Sequence, residues 1–440
     1  MFKRITAVLA SLLLVIAAQA QPELGRPRVG SSVIYEVNVR QFTQEGTFDA
    51  FRAHIPRLAE MGVDILWLMP IHPISEKHRK GTLGSYYAPA DYTEVNPEFG
   101  TKEDFDELVR DAHDAGMIVL LDWVANHTGW DHVWTETNPE YYRQNEAGEF
   151  ITPNGDWLDV IQLDMEREDT RKAMKEAMLY WVREHDVDGF RCDVAELVPA
   201  DFWRDAISDL REERDVFMLA EGAAAWLYDC GFDATYGWGL GDACLRVVND
   251  GRPAFEVMDS LRDATAQRRH PRRPFRMHFT TNHDWNSWNG TAVERLGEAW
   301  EAATVLTFMA PGMPLIYSGQ EAGLDAQLAF FEKDAIAWRE HPARELYTRL
   351  ARFKERVPAL DAGDPSSVLR PLIVHEPDRL IAFERRIRGS RVLVFVNLSD
   401  RPVSVLDPPS VDIYRDLDGE PAEYPTALPA WGWVVLEVAQ

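Results

Sequence analysis

The chain has 440 residues and a formal net charge of -26. It is too long for one small domain, and a barrel of roughly 250–350 residues with one smaller domain would fit it. A nucleic-acid groove needs a stripe of Lys and Arg, and the sequence contains no such cluster, so nucleic acid is excluded as a partner.

The first twenty residues have the pattern of a secretory signal peptide. Lys3 and Arg4 form a positive start, residues 5–18 an apolar stretch, and AQA at 18–20 a small-residue cleavage site. The apolar stretch is too short to span a bilayer comfortably. We therefore expect an exported protein, periplasmic or extracellular, that begins near Gln21 and has no membrane span in its mature chain.

Short apolar runs alternate with helix-period segments along most of the chain. The runs predict eight strands, at 33–39, 64–69, 118–124, 189–194, 217–220, 232–236, 277–281 and 314–317, and helices are predicted at 48–61, 102–115, 167–185 and 201–214. Strands that alternate with helices favour parallel pairing in a closed or doubly wound sheet.

Two regions depart from this alternation. Residues 127–163 are rich in Trp, Asn, Asp, Pro and Gly, which predicts a small inserted domain over the barrel mouth. The barrel would then comprise 21–126 and 164–358. Residues 359–440 contain strand patterns without helices between them, and they predict a C-terminal antiparallel β-sandwich.

The three cysteines, Cys192, Cys230 and Cys244, match no zinc pattern and are expected to be buried thiols. Cys192 lies between Arg191 and Asp193 in a predicted strand. Because side chains alternate across a strand, Cys192 should face the helices if its two neighbours face the barrel axis.

Four apolar runs end in charged or polar residues. They are DWVANH at 122–127, GFRCD at 189–193, FMLAEG at 217–222 and FTTNHD at 279–284. A parallel barrel builds its active site from such strand ends. The polar set is rich in carboxylates and contains no plausible Ser or Cys nucleophile with a base. It therefore points to cleavage of glycosidic bonds by an Asp/Glu pair.

With GSYYAPADYTEVNPEFGT at 84–101 and PGMPLIYSGQE at 311–321, the ordered motifs resemble those of the α-amylase family, glycoside hydrolase family 13. The resemblance covers nearly the whole mature chain. It implies a (β/α)8 TIM barrel with a small domain inserted after the third strand and a C-terminal β-sandwich. It also implies retaining chemistry on α-glucosidic bonds, for which no cofactor is needed.

The resemblance makes Asp193 the nucleophile, and Arg191 on the same strand face can keep it ionised. Glu221 is the expected proton donor, because it ends an apolar run and a low-polarity wall favours the protonated form. The alternative for Asp193 is a purely structural ion pair with Arg191. The alternative for Glu221 is a structural residue next to a helix N-cap.

The resemblance also assigns substrate contacts. Asp284 would bind sugar hydroxyls more tightly in the transition state, and His127 and His283 would donate to hydroxyls of the same ring. Tyr87 would stack on the sugar, although neighbouring Tyr86 leaves that assignment one position open. Asp122 and Arg191 complete the substrate-binding set, with Asp122 as a support at the barrel mouth. Asn126 is either a calcium ligand or a structural hydrogen-bonding residue.

One position departs from the family pattern. Many α-amylases carry Lys-His shortly after the nucleophile, whereas this chain has Glu196, which leaves binding on the leaving-group side open. The expected function is a retaining hydrolase of α-1,4 bonds in starch-derived α-glucans and maltooligosaccharides. The alternatives are an α-glucosidase or glucanotransferase, and a non-catalytic barrel that binds sugar or protein. The sequence leaves the oligomeric state open.

Overall fold

The computed structural model describes residues 29–266, 275–407 and 412–439. The predicted signal peptide at 1–20 lies outside these residues, so export stays a prediction. Across the described ranges, no helix combines the length and the apolar character needed to cross a bilayer.

Within the described ranges, strands and helices alternate between residues 34 and 317, and the structure is mainly strand after residue 366. In chain order the strands are β1 (Ile34–Val37), β2 (Ile65–Leu68), β3 (Ile118–Trp123), β4 (His127–Gly129), β5 (Val160–Gln162), β6 (Gly189–Cys192), β7 (Phe217–Ala220), β8 (Ala234–Tyr236), β9 (Phe275–His278), β10 (Met313–Tyr317), β11 (Val368–Pro371), β12 (Leu380–Ile387), β13 (Ser390–Asn397), β14 (Val403–Ser404), β15 (Ile413–Arg415), β16 (Pro421–Ala422), β17 (Ala427–Leu428) and β18 (Trp433–Ala439).

The α-helices are, in the same order, α1 (Val39–Phe42), α2 (Phe48–Arg52), α3 (Ile55–Met61), α4 (Lys102–Asp114), α5 (Val133–Thr137), α6 (Glu168–Glu184), α7 (Ala200–Glu213), α8 (Trp226–Asp229), α9 (Trp238–Asp250), α10 (Phe255–Ala266), α11 (His283–Asn289), α12 (Ala292–Leu296), α13 (Trp300–Met309) and α14 (Pro342–Arg356).

Eight parallel strands close into a barrel in the order β1-β10-β9-β8-β7-β6-β3-β2, which confirms the predicted fold class. Alternate residues divide between two cores, as a pleated strand requires. Ile34, Trp67 and Leu219 belong to the core inside the barrel, whereas Cys192 and Met218 belong to the core between strands and helices. All three cysteines are free and buried, as predicted.

Two element boundaries differ from the sequence prediction for identifiable reasons. The predicted helix at 48–61 is two helices, α2 and α3, and Pro56 lies in the first turn of the second. Proline has no N–H to donate and favours a helix start over a helix interior. The ninth strand begins at Phe275 rather than at residue 277, since Phe275 pairs with Ala234.

The segment between β3 and β6 contains a short antiparallel pair, β4 with β5, in which His127 is opposite Gln162. The pairing begins four residues after β3, so the insert leaves and rejoins the barrel beside the carboxyl end of its third strand. His127 is therefore held by a sheet and not by a free loop.

After α14 the chain forms a six-stranded antiparallel sheet in the order β11-β12-β13-β18-β15-β16 and a two-stranded sheet, β14 with β17. One face of β12 and β13, with Phe383 and Val394, joins the core beneath the barrel helices. The other face, with Leu380 and Phe395, packs against Val403 of the small sheet. The sequence predicted a C-terminal antiparallel β-sandwich, and the strands after α14 form these antiparallel sheets.

Candidate active site

The predicted site residues gather at the carboxyl ends of the barrel strands. One cavity of about 280 Å³ is lined by Tyr87, His127, Asp193, Glu221, His283 and Asp284. Asp122 and Arg191 are 1% and 0% exposed and lie beneath that cavity. They affect a bound ligand only through the residues that they hold in place, so they support the site and do not contact the sugar themselves.

Arg191 holds the acidic residues of the cavity together. Its Nη1 donates to Asp122 at 2.8 Å and to Asp193 at 2.9 Å, and its Nη2 lies 3.2 Å from Glu221. Its Nε donates to the Tyr236 hydroxyl at 3.0 Å. Asp122 and Arg191 are register partners on β3 and β6, so both side chains point into the barrel. One buried cation thus faces three carboxyl groups.

The pKa of Asp193 and the surroundings of Glu221 both differ from the sequence prediction. Burial and then the charge of Glu221 raise the pKa of Asp193 well above its usual range, although Arg191 acts in the opposite direction. Arg191 and the Val194 N–H contact the Glu221 carboxyl group in place of the expected apolar wall, although Phe217 and Leu219 of the preceding run belong to the core inside the barrel.

The turn after Asp193 is hydrogen-bonded to the loop that carries Glu221. Val194 adopts φ 37° and ψ 46°, a left-handed conformation that costs a β-branched residue about 1–2 kcal/mol. This conformation aims the Val194 N–H at the Glu221 carboxylate, 2.7 Å away. Glu196 then accepts from the N–H groups of Ala223 and Ala224 at 2.6 and 2.9 Å. Glu196 therefore binds protein backbone where the family pattern led us to expect a ligand contact.

His283 is held as an imidazolium. Its Nδ1 is hydrogen-bonded to Glu36, and its Nε2 lies 2.9 Å from the Tyr87 hydroxyl. That hydroxyl donates to Asp122 at 2.9 Å, so Nε2 must donate as well. Burial alone would lower the pKa of His283, but the charges of Asp284 and Glu36 outweigh it and raise the pKa to about 9.

His127 is in the opposite state. Burial lowers the pKa of its imidazole to about 4. The amide nitrogen of Asn126 lies 3.2 Å from His127 Nδ1 and donates to it, which leaves the proton on Nε2. The cavity is therefore lined by one charged and one neutral imidazole.

The residues around Asn126 do not fit a calcium site. The amide nitrogen of Gln162 lies 3.0 Å from both Asn126 Oδ1 and the Asn126 carbonyl, and 3.3 Å from the Leu163 carbonyl. A side-chain donor thus occupies the point where these oxygens converge. The described part of the chain also has no group of three or more His, Cys, Asp or Glu that could hold a metal.

The structure brings further residues to the cavity that sequence reasoning missed. Its wall includes Lys80, Trp157, Asp159, Trp288 and Phe330. Most of these residues lie in loops. Side chains in loops follow no regular period, so the sequence does not show which of them point into the cavity.

Glu36, by contrast, lies at the bottom of the site and could have been predicted from the sequence. It is the one charged residue in the apolar run IYEV, two positions after the inward-facing Ile34.

The chain is similar to known proteins in sequence and in fold. A family profile described as "Alpha amylase, catalytic domain" matches residues 36–157 and 155–219. Alpha-amylase MalA of Haloarcula japonica is 30% identical over 88% of this chain, which spans 58% of that protein.

Two solved structures share nearly the whole fold. An alpha-amylase from Lactobacillus plantarum superposes with a TM-score of 0.84 at 30% identity, covering 94% of this chain and 100% of that one. A noncanonic maltogenic alpha-amylase, AmyB, from Thermotoga neapolitana gives a TM-score of 0.83 at 28% identity, with the same two coverages.

Proposed function

The chain belongs to the α-amylase family, glycoside hydrolase family 13, and from that premise we propose that it hydrolyses α-1,4-glucosidic bonds of starch-derived oligosaccharides with retention of configuration. The observation that supports this best is the contact of Arg191 with both Asp193 and Glu221. A shared guanidinium keeps the two carboxyl groups close, and retaining enzymes hold theirs about 5 Å apart.

In the first step Asp193 attacks C1 of the sugar and Glu221 gives its proton to the glycosidic oxygen. The C1–O bond breaks, a C1–Asp193 ester forms, and the leaving chain departs as an alcohol. Burial and the charge of Glu221 oppose ionisation of Asp193, and the hydrogen bond from Arg191 favours the carboxylate that the attack requires.

In the second step Glu221 removes a proton from water, whose oxygen attacks C1 and releases Asp193. Asp284 and the imidazolium of His283 lie on the same cavity and bind hydroxyls of the attacked sugar. Interactions that strengthen as the ring flattens lower the barrier, whereas uniform binding would not. Neutral His127 supplies a further donor to that ring.

Product analysis with maltoheptaose tests the proposal. The first sugar released should be the α-anomer by proton NMR, and Asp193→Asn should abolish its release. Release of the β-anomer would contradict the mechanism. The same reaction with an added sugar acceptor separates hydrolysis from the glucanotransferase alternative, since transfer would yield products longer than the substrate.

Export to the periplasm or the medium is part of the proposal. It is supported by Lys3, Arg4 and the AQA site at 18–20. Mass spectrometry of the protein from its native host should find an amino terminus near Gln21. Active protein that retains Met1 would contradict it.

A further inference from the structure

Three loops are fastened together on one side of the catalytic cavity. Lys80 lies 2.8 Å from Asp159 of the insert and donates to the Asp156 carbonyl at 3.1 Å. Two residues later, the Thr82 N–H donates to Glu332 at 2.9 Å. We call residues 80–83 the strap, because they link the insert to the loop after β10.

The strap is tightly packed as well as hydrogen-bonded. The Leu83 N–H donates to the Phe331 carbonyl at 3.0 Å, and a Cβ at Gly81 would lie 2.4 Å from that of Phe331. Asp159 is only 6% exposed, so its ion pair with Lys80 is partly shielded from water. Lys80, Asp159 and Phe331 all line the cavity that contains Asp193.

The strap lies on the side of the attacked sugar. It precedes Tyr87 in the same loop, and Asp159 belongs to the insert that carries His127, so it adjoins the two residues that contact that ring. The leaving sugar must instead lie beside Glu221. There the protein surface is open: Leu197 is 58% exposed, and Glu196 and Ala223 are exposed too.

We propose that the Lys80–Asp159 ion pair closes the cavity beyond the attacked sugar, so that this enzyme cleaves α-glucans from their non-reducing ends. In an α-1,4-glucan the units that precede the attacked one extend from its O4, and a closed wall leaves them no exit. The volume of about 280 Å³ falls just below the ~300–1,000 Å³ of sites for drug-sized ligands, which leaves room for few sugar units.

This inference rests on the proposed function, and a pair of substrates separates the two. Maltooctaose labelled at its reducing end and γ-cyclodextrin each contain eight α-1,4-linked glucoses, but the ring has no chain end. We expect the linear sugar to be cleaved about 100-fold faster than the ring. Its first products should be a short unlabelled sugar and a long labelled one.

Lys80→Ala and Asp159→Asn should open the wall and raise the ring-to-linear rate ratio about tenfold. The control is Asp201→Asn, which breaks the Arg171–Asp201 pair, also 2.8 Å long, on the helix layer. It should leave the ratio unchanged. Lys80 is partly exposed and Asn is isosteric with Asp, so both test variants should fold, as circular dichroism would verify.

Comparable rates on γ-cyclodextrin and on linear maltooctaose would overturn the proposal that the enzyme acts at chain ends. Early internal cleavage of maltooctaose would do the same. Neither result would contradict the proposed hydrolase function. A ratio unaffected by Lys80→Ala and Asp159→Asn would remove the strap as its cause. Cleavage of neither substrate would overturn the proposed function itself, and with it this inference.

Discussion

Glu36 and His283, 247 positions apart in the chain, are hydrogen-bonded at the bottom of the catalytic cavity. Glu36 is 0% exposed, and His283 bridges it to the Tyr87 hydroxyl. A buried carboxylate beneath the imidazole keeps both ring nitrogens protonated. The charge of His283 therefore depends on Asp284, its neighbour in the chain, and also on Glu36 in the first strand of the barrel.

Glu36→Gln should lower the pKa of His283 from about 9, because the variant removes one of the two charges that raise it. Histidine NMR across pH 5–10 measures this directly. The pKa of this His lies above its ordinary value of about 6.5, so the stability it contributes is complete below that value and is lost as the pH rises through about 9.

The matched control is Glu321→Gln. Glu321 is also buried in the barrel wall but is paired with Tyr35 and Arg57. It should leave the titration of His283 unchanged. An unshifted His283 in Glu36→Gln would contradict the assigned network.

Asp193→Asn should make the enzyme more stable at neutral pH, by about 2 °C in Tm. Burial raises the pKa of Asp193, so its ionisation costs more in the folded state than in the unfolded state, and the stability it contributes falls as the pH rises. The asparagine oxygen can still accept from Arg191. The gain should grow with pH and vanish in acid, which calorimetry at pH 4, 7 and 9 would resolve.

Asp201→Asn is the control for this prediction, because removing its charge should affect stability with the opposite sign. Hydrogen bonding to Arg171 lowers the pKa of Asp201, so this exposed group stabilises the fold at neutral pH and its loss should not raise Tm. A higher Tm in both variants would indicate a general effect of removing charge and would contradict the active-site explanation.

Glu196→Ala should impair proton donation more than it impairs the fold. Without its carboxylate the N–H groups of Ala223 and Ala224 lose their acceptor, and the Glu221 loop loosens. We expect kcat on maltodextrin to fall about tenfold. The rate on α-glucosyl fluoride, whose leaving group needs little protonation, should fall far less.

Glu196→Gln keeps an accepting oxygen and should restore most of the activity. Gly222→Ala should mimic the loss, because its Cβ would lie 2.8 Å from Glu196 Oε1. Glu212→Ala, an exposed glutamate on α7, is the control. Equal losses on both substrates in Glu196→Ala would show that Glu196 does not act through the acid.

Removal of calcium should leave activity and Tm unchanged, because Gln162 already satisfies the oxygens of Asn126. Gln162→Glu replaces that donor with a carboxylate beside two carbonyl oxygens and an amide oxygen, the ligands that calcium prefers. Its Tm should then rise with added calcium. A wild-type enzyme that EDTA inactivates and calcium restores would refute this interpretation.

Much of the site could be predicted because barrel strands obey a period of two. Given that Arg191 and Asp193 face the barrel axis, that period placed Cys192 outward, and the apolar runs located all eight barrel strands. Local sequence could not reveal what faces Glu221, since Arg191 and the Val194 N–H reach it from a neighbouring strand. Nor could it reveal the Lys80–Asp159 pair, which joins two loops 79 positions apart.

The same limit explains the metal prediction. Asn126 follows the third barrel strand as the family pattern expects, but its oxygen is satisfied by Gln162 across the insert's short sheet. Whether an amide oxygen is free for an ion depends on its partner in space, and that partner lies 36 positions away.

Covalent trapping tests the central claim most directly. In Glu221→Gln, α-glucosyl fluoride should still form the ester with Asp193, because fluoride leaves without the acid, while breakdown of the ester slows for lack of a base. Mass spectrometry of the digested protein should find one hexosyl group on the peptide that contains Asp193. A label on Asp284, or turnover of the fluoride with no covalent adduct, would contradict the assignment of Asp193 as nucleophile and Glu221 as acid.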